Sequence, residues 1–119
     1  MTQRNELERG RHRFGTDVVV GARSRTRLTG PRIDAHGGEI LTMGVVAGAV
    51  QVPSGGAPIV LLAEHQATGG YPVVAVVISA DLGLVAQRLP GERLRFTRVD
   101  RDLAVEALRD ARAELEAIA

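Results

Sequence analysis

The sequence predicts a mainly-β domain, a barrel or sandwich of about six short strands with one C-terminal α-helix packed on it. Two observations predict this class. Short runs of β-branched and apolar residues are separated by Gly and Pro turn signals, and the end of the chain repeats apolar positions at helical spacing. A length of 119 residues allows one domain with a modest core.

The β-rich part begins near Thr16. The predicted strands cover residues 18–20, 39–43, 45–52, 59–62, 73–78 and 92–99, and residues 23–28 alternate loosely before a turn. Within the strand at residues 45–52, Gly48 suggests a bulge or a tight barrel corner. Residues 73–78 are β-branched at nearly every position, which is typical of a strand buried on both faces. Residues 92–99 alternate, with Leu94 and Phe96 on one face, which indicates a half-exposed strand.

Helical signals occur at two places. Residues 81–89 fit one or two helical turns with Asp81 as the N-cap. Asp100 is the predicted cap of a longer amphipathic helix that runs to the end of the chain. The apolar positions of this helix are Ala104, Ala107, Leu108, Ala111, Leu115 and Ile118.

Composition excludes several classes. The absence of cysteine removes disulfides and thiolate chemistry, and no apolar run is long enough to cross a bilayer. We therefore expect a cytoplasmic protein with neither membrane nor nucleic acid as partner. Residues 1–15 are polar and are predicted to be a disordered or foreign leader, with the domain at residues 16–119. The many arginines of the first third leave an alternative, a basic arm that contacts nucleic acid.

Several catalytic motifs are missing from the sequence. The chain has no lysine for a Walker phosphate loop and no Gly-x-Ser-x-Gly elbow. His12, His36 and His65 lie far apart without metal-ligand spacing, so no metal site is predicted.

Polar groups suited to specific recognition concentrate in residues 51–72. Gln51, Glu64 and Gln66 border apolar strands, and Gly69-Gly70 allows a close backbone approach or an oxyanion-binding amide. Two interpretations remain open from chemistry alone. This segment is either a functional loop or a hairpin connection whose glycines serve geometry only.

Ordered motifs in this chain resemble those of the allophanate hydrolase subunit 2 family. They are Arg27-Leu28-x-Gly-Pro, Gly-Glu-Ile-Leu, Gly-Ala-Val-Gln-Val-Pro, Gly56-x-Pro-Ile-Val-Leu-Leu-Ala, Gln66-x-Thr-Gly-Gly-Tyr-Pro, Val77-Ile-Ser-Ala-Asp and Pro90-Gly-Glu. The family includes the C subunit of 5-oxoprolinase, urea amidolyase-related carboxyltransferase domains and a regulator that antagonises a sporulation kinase inhibitor. The resemblance implies a cyclophilin-like barrel of which this chain is the C-terminal part.

The resemblance also implies a function. The chain would belong to an ATP-dependent 5-oxoprolinase, or to a biotin-dependent carboxyltransferase of the urea amidolyase type, acting on a cyclic amide or urea-like substrate. Its partners would be a companion cyclophilin-like subunit, of the allophanate hydrolase subunit 1 type, and an N-terminal subdomain. Glu64 is then the candidate catalytic carboxylate. The candidate substrate-binding residues are Arg23, Arg27, Gln51, Gln66, Thr68, Gly69, Gly70 and Tyr71.

The chain departs from the family pattern at three places. Glu64-His65-Gln66-Ala67-Thr68 stands where the family has Asp-x-Gln-Thr-Thr, and Arg25 replaces a family glycine. The resemblance also implies a subdomain before this region in family members, which is expected to be missing here. Two alternatives to a catalytic role therefore stay open: a non-catalytic regulatory module that binds a kinase-inhibitor-like partner, and an inactive truncated remnant.

Overall fold

The computed structural model describes residues 16–20, 26–30, 32–34 and 40–118, and the predicted leader at residues 1–15 lies outside them. Eight short strands are present in this part of the chain. They are β1 (Thr16–Val20), β2 (Thr26–Thr29), β3 (Met43–Gly44), β4 (Ala49–Gln51), β5 (Ile59–Val60), β6 (Thr68–Gly69), β7 (Val73–Val76) and β8 (Arg93–Phe96). A 3₁₀ turn (Ser79–Asp81) leads into the short helix α1 (Leu82–Ala86), and the chain ends in helix α2 (Arg101–Ile118).

The described strands form two antiparallel sheets. Six strands are arranged in the order β7-β4-β5-β2-β1-β8, and β3 pairs with β6 in a separate two-stranded sheet. Strand β4 lies between β5 and β7, whereas β7 and β8 are the two edges of the larger sheet. The predicted class, mainly β with a C-terminal helix, is confirmed.

The core lies where β2, β4 and β5 meet helix α1. Leu28, Val50, Val60 and Val85 form its buried cluster. Four half-buried apolar side chains pack against that cluster, namely Leu62, Val77, Leu94 and Phe96. The alternation predicted for β8 is confirmed, since its residues are exposed and half-buried in turn.

Helix α2 has the predicted cap. The Leu103 amide donates to Asp100 Oδ1 at 2.9 Å, which satisfies one of the free N–H groups of the first turn. The apolar positions of the first half are half-buried, but Leu115 and Ile118 are 69% and 83% exposed. The helix therefore packs on the described domain mainly through its first turns.

Two strand predictions are wrong in detail. The strand expected at residues 45–52 is shorter, because a turn at Ala47 and Gly48 precedes β4. Gly48 has a φ of +88°, and a Cβ there would lie 2.8 Å from the Val77 carbonyl oxygen. Only glycine allows the backbones of β4 and β7 to meet this closely. Of the strand expected at residues 39–43, only Met43 is in β3, and residue 39 lies outside the described part.

Strand β7 also differs from its prediction. It was expected to be buried on both faces, yet Val74 and Val76 are 47% and 53% exposed. The physical reason is its place at the edge of the sheet, where a neighbouring strand and its side chains are lacking on one side among the described residues. Asp81 occupies the predicted N-cap position of α1, but no side-chain capping hydrogen bond is present there.

Candidate functional site

Strand β4 carries a polar side chain into the core. Gln51 is only 2% exposed, and its apolar neighbours Val50 and Val52 are buried as well. Its Nε2 atom is buried and has no hydrogen-bond partner in the described structure. A buried amide donor without an acceptor costs about 1–3 kcal/mol. An unpaired buried donor at the base of a loop indicates a functional role for that loop.

The loop above Gln51 is the segment with the two adjacent glycines. A Cβ at Gly69 would lie 2.5 Å from Gln51 Nε2 and 3.4 Å from Gln66 Nε2. The backbone of Gly69 thus rests directly on the Gln51 carboxamide, with the Gln66 carboxamide beside it. This contact requires glycine at position 69, because any larger residue would displace the Gln51 side chain.

Backbone hydrogen bonds hold this loop from both sides. Strand β6 pairs with β3, so that Thr68 lies opposite Gly44 and Gly69 opposite Met43. The Gly70 carbonyl accepts from the Ile40 amide at 2.8 Å. After the loop, the Pro72 carbonyl accepts from the Val52 amide at 3.0 Å. These backbone hydrogen bonds keep the loop close to Gln51.

The outer side of the loop presents polar groups to solvent. Gln66 and Thr68 are exposed, and Tyr71 is 38% exposed. His65, for which the sequence predicts no metal-binding role, forms a local hydrogen bond in the structure. Its Nδ1–H donates to the carbonyl oxygen of Gln66 at 2.6 Å and so orients the Gln66 backbone. No pattern in the sequence predicts this hydrogen bond between the adjacent residues His65 and Gln66.

The predicted residues are thus only partly brought together. Gln51 Nε2 and Gln66 Nε2 both lie beside Gly69, at 2.5 and 3.4 Å from the place of an added Cβ, and Thr68, Gly70 and Tyr71 belong to the same loop. Glu64 lies in an exposed turn, and no hydrogen bond or ion pair joins it to another described residue. Its catalytic role stays a prediction.

Of the two predicted arginines, only Arg27 lies among the described residues. Arg23 lies outside the described residues. Arg27 is in β2, and the backbone register places it in one row with Ile59 of β5 and Gln51 of β4. Position 27 is therefore two strands away from position 51, roughly 10 Å across the sheet.

The side chains of the site offer amide and hydroxyl groups for hydrogen bonding rather than charged groups. Gln51, Gln66 and Thr68 are uncharged, and the one Asp, Glu, Lys or Arg in the sequence of residues 51–72 is the negative Glu64. These side chains do not fit a nucleoside triphosphate, because its phosphates are bound by cations and by clustered backbone amides. Among the described residues there is also no group of three or more His, Asp or Glu side chains suited to a metal ion. None of the helices that the structure describes is both long and apolar enough to span a membrane.

Comparison with known proteins places the fold in a family. Residues 18–98 match the family described as carboxyltransferase domain, subdomain A and B. This chain is 42% identical over 80 residues to the C subunit of 5-oxoprolinase from Haemophilus influenzae, and 40% identical over 81 residues to the protein of the same name from Escherichia coli. The chain belongs to the carboxyltransferase subdomain A and B family, and the resemblance stated from its motifs is confirmed.

A solved structure agrees with this assignment. The crystal structure of TTHA0988 matches with a TM-score of 0.60 at 39% sequence identity over 71% of this chain, and the match covers 17% of the TTHA0988 chain. The matches to the two 5-oxoprolinase relatives cover 67% and 68% of this chain but only 26% of each relative. The chain thus corresponds to about a quarter of the length of these relatives.

Proposed function

We propose that this chain is a cytoplasmic component of a 5-oxoprolinase-type complex and supplies part of its site for a cyclic amide. The observation that carries the proposal is the contact of Gly69 with the Gln51 and Gln66 carboxamides. The names of the two relatives support the assignment to such a complex, since both are called a subunit of 5-oxoprolinase.

A carboxamide side chain is complementary to a cyclic amide. A five-membered lactam presents its C=O and N–H side by side, because the ring fixes the amide in the cis form. A glutamine side chain offers one NH₂ donor and one carbonyl acceptor in the same plane. Gln66 is exposed and can form both hydrogen bonds with such a ring. Thr68 and Tyr71 add hydroxyl groups on the same loop.

Gln51 acts differently from Gln66 in this proposal. Its Nε2 is fully covered, so it does not meet a ligand directly while the loop stays in place. We assign it as a positioning residue, which holds Gly69 and thereby sets the place of Gln66 and Thr68. Arg27, in the same backbone row as Gln51, is the candidate for the substrate carboxylate, a task suited to guanidinium geometry.

In this proposal, ATP is a substrate of the whole complex and binds outside the Gln51–Gln66 loop. The uncharged donors of the Gln51–Gln66 loop do not suit its phosphates. Biotin fits the same donors better, because its ureido ring carries the same C=O and N–H pattern, and Gln66 would then hold it. Bound biotin would supply an activated carboxyl group. The companion cyclophilin-like subunit and the remaining subdomain complete the proposed assembly.

The test uses the complex that forms around the tagged full chain in its own cells. ATP hydrolysis is measured with and without 5-oxoproline, and separately with urea and bicarbonate. Gln66→Ala is expected to raise the KM for 5-oxoproline roughly tenfold, the value of one or two lost hydrogen bonds. Gln87→Ala is the matched control, since Gln87 is an exposed glutamine after α1 and outside the loop. Equal KM values for the two variants would remove Gln66 from the site.

Glu64 is tested in the same assay. Glu64→Gln keeps the shape of the side chain and removes its charge, and Glu106→Gln on the exposed side of α2 is its control. If Glu64 acts as an acid or base, kcat falls while KM changes little. Unchanged kcat in both variants contradicts a catalytic role for Glu64.

A second candidate function rests on the exposed apolar side chains of the chain. Leu41, Val46 and Val76 are 93%, 57% and 53% exposed, which favours a protein-binding module. In that case the chain joins a regulatory partner and catalyses nothing. A complex that is stoichiometric and stable, but shows no ATP hydrolysis dependent on 5-oxoproline or urea, would support this second function.

A further inference from the structure

Strand β7 ends the six-stranded sheet with an apolar edge. Residues 71–78 contain no charged side chain, and Val76 is 53% exposed. Proteins usually protect an exposed edge with charges or bulges, since its free N–H and C=O groups can pair with another strand. One irregularity is present, a register shift beside Val74, but Val76 lies beyond it in regular pairing with Ala49.

The hydrogen bonds of β4 show which way the Val76 backbone points. The Ala49 carbonyl accepts from Leu61 on the β5 side, so the next residue of β4, Val50, faces β7 and pairs with Ala75. The Val77 amide donates to the Gly48 carbonyl at 2.8 Å. Ala75 and Val77 therefore both face β4, and the N–H and C=O of Val76 between them point to the opposite edge.

A groove runs beside this edge. Its volume is about 270 Å³, and it lies between the end of β7 and helix α2. Val76 and Ile78 line one side, and Val105 and Leu108 line the other, with Arg101 at one end. A strand that paired with Val76 would have an apolar pocket next to it for one of its side chains.

We propose that the outer edge of β7, which has no described strand beside it, accepts an extended apolar segment of a companion polypeptide, which adds a strand to the sheet and fills this groove. The companion is the remaining subdomain of the proposed assembly, which corresponds to the part of the family sequence that this chain does not match. That part is about three quarters of each relative, since the matches cover 26% of their length. The proposal rests on the proposed function only in requiring such a companion.

Other occupants fit the edge less well. The segments of this chain outside the structural description are polar or Gly-rich, as in the sequences MTQRNELERGRHRFG, GARSR and AHGGE, and supply no apolar strand. A second copy would pair β7 with β7 around a two-fold axis. Both copies of α2 would then lie on the same face, with an Arg101 at each groove, so like charges would approach.

The experiment compares three tagged forms of the full chain, purified from their own cells with the companion identified by mass spectrometry. Val76→Pro removes the outward N–H and keeps the β4 ladder, because proline is tolerated at a strand edge. Val76→Thr keeps both the N–H and the β-branched shape, and is the control. We expect Val76→Pro to lower the recovered companion roughly tenfold or more, while Val76→Thr retains it.

Amide hydrogen exchange by NMR gives a second readout that does not depend on a mutation. In the free chain the Val76 amide should exchange much faster than those of Ala75 and Val77, and in the complex it should become protected. This also checks that Val76→Pro folds, because the Ala75 and Val77 amides should stay protected in that variant.

Several results would overturn the proposal. They are full recovery of the companion by Val76→Pro, a Val76 amide that exchanges equally fast in the complex, and a chain that elutes alone or only as a dimer of itself. A complex that forms through β7 but shows no ATP hydrolysis dependent on 5-oxoproline would instead contradict the proposed function and leave the docking edge standing.

Discussion

Strands β4 and β7 are neighbours in one sheet and have nearly the same apolar character, yet their surroundings differ completely. Every residue of β4 is buried, including the polar Gln51. In β7, three of four residues are exposed although they are valine and alanine. Burial here follows position in the sheet, since β4 has a strand on each side and β7 has a described strand on one side only. A buried polar residue and an exposed apolar strand are the two features that composition does not explain, and both point to function.

The largest expected effect is at the turn that joins the two strands in space. Gly48→Ala should lower the free energy of unfolding by roughly 3 kcal/mol, from a left-handed φ and a collision with a backbone oxygen that cannot move aside. Urea denaturation of the full chain measures this. Gly55→Ala is the control, because nothing lies within 4 Å of its added Cβ and its φ is ordinary. Equal midpoints for the two variants would mean that β4 and β7 do not approach as described.

The next effect compares the strands directly. Val50→Ala removes buried methyl groups and should cost about 2 kcal/mol, whereas Val76→Ala in the isolated chain should change stability by less than about 0.5 kcal/mol. The same urea titration measures both. A large loss of unfolding free energy for Val76→Ala in the isolated chain would show that Val76 is buried there, contrary to its position at the sheet edge.

Helix α2 lies on the β7 side and is anchored mainly at its start. Asp100→Ala should cost about 1 kcal/mol, because the Leu103 amide loses its acceptor. Circular dichroism during thermal unfolding measures the change. Asp110→Ala, at an exposed position inside the same helix, is the control and should shift the melting temperature less. A melting temperature unchanged by Asp100→Ala would show that the helix start is held by packing alone.

A small effect on stability, but a larger one on binding, is expected at the buried amide of β4. Gln51→Met keeps a similar volume and removes the unpartnered donor, so stability should stay within about 1 kcal/mol or rise. The KM of the complex for 5-oxoproline should nevertheless increase roughly tenfold, because Gly69 loses the carboxamide that positions it. If KM and melting temperature both stay at their original values, Gln51 is only a core residue.

The sequence was sufficient for the class of fold and for several local features. The alternation of Leu94 and Phe96 predicts the exposed and half-buried pattern of β8, and Asp100 followed by helical spacing predicts the start of α2. These features depend on neighbours in the chain, which is why a single sequence reveals them. The ordered motifs predicted the family, which the comparisons confirm.

Features that depend on distant residues were not predictable in this way. The exposure of β7 depends on the order of strands in the sheet. An apolar run has the same sequence pattern in an edge strand as in a central strand. The turn at Gly48 depends on the approach of Val77, almost thirty residues later. For the candidate site, Gln51, Gln66 and Gly69 were named from sequence, but their mutual contact, and the burial that separates Gln51 from the exposed Gln66, required the structure.

The central claim is that the contact of Gly69 with the Gln51 and Gln66 carboxamides forms part of a site for a cyclic amide. The most direct measurement is calorimetric binding of 5-oxoproline to the complex purified with the full chain, comparing Gly69→Ala with Gly55→Ala. Gly69→Ala is expected to weaken binding roughly tenfold or more, while Gly55→Ala should leave the affinity unchanged. The same affinity in both variants, with both complexes intact, would contradict it.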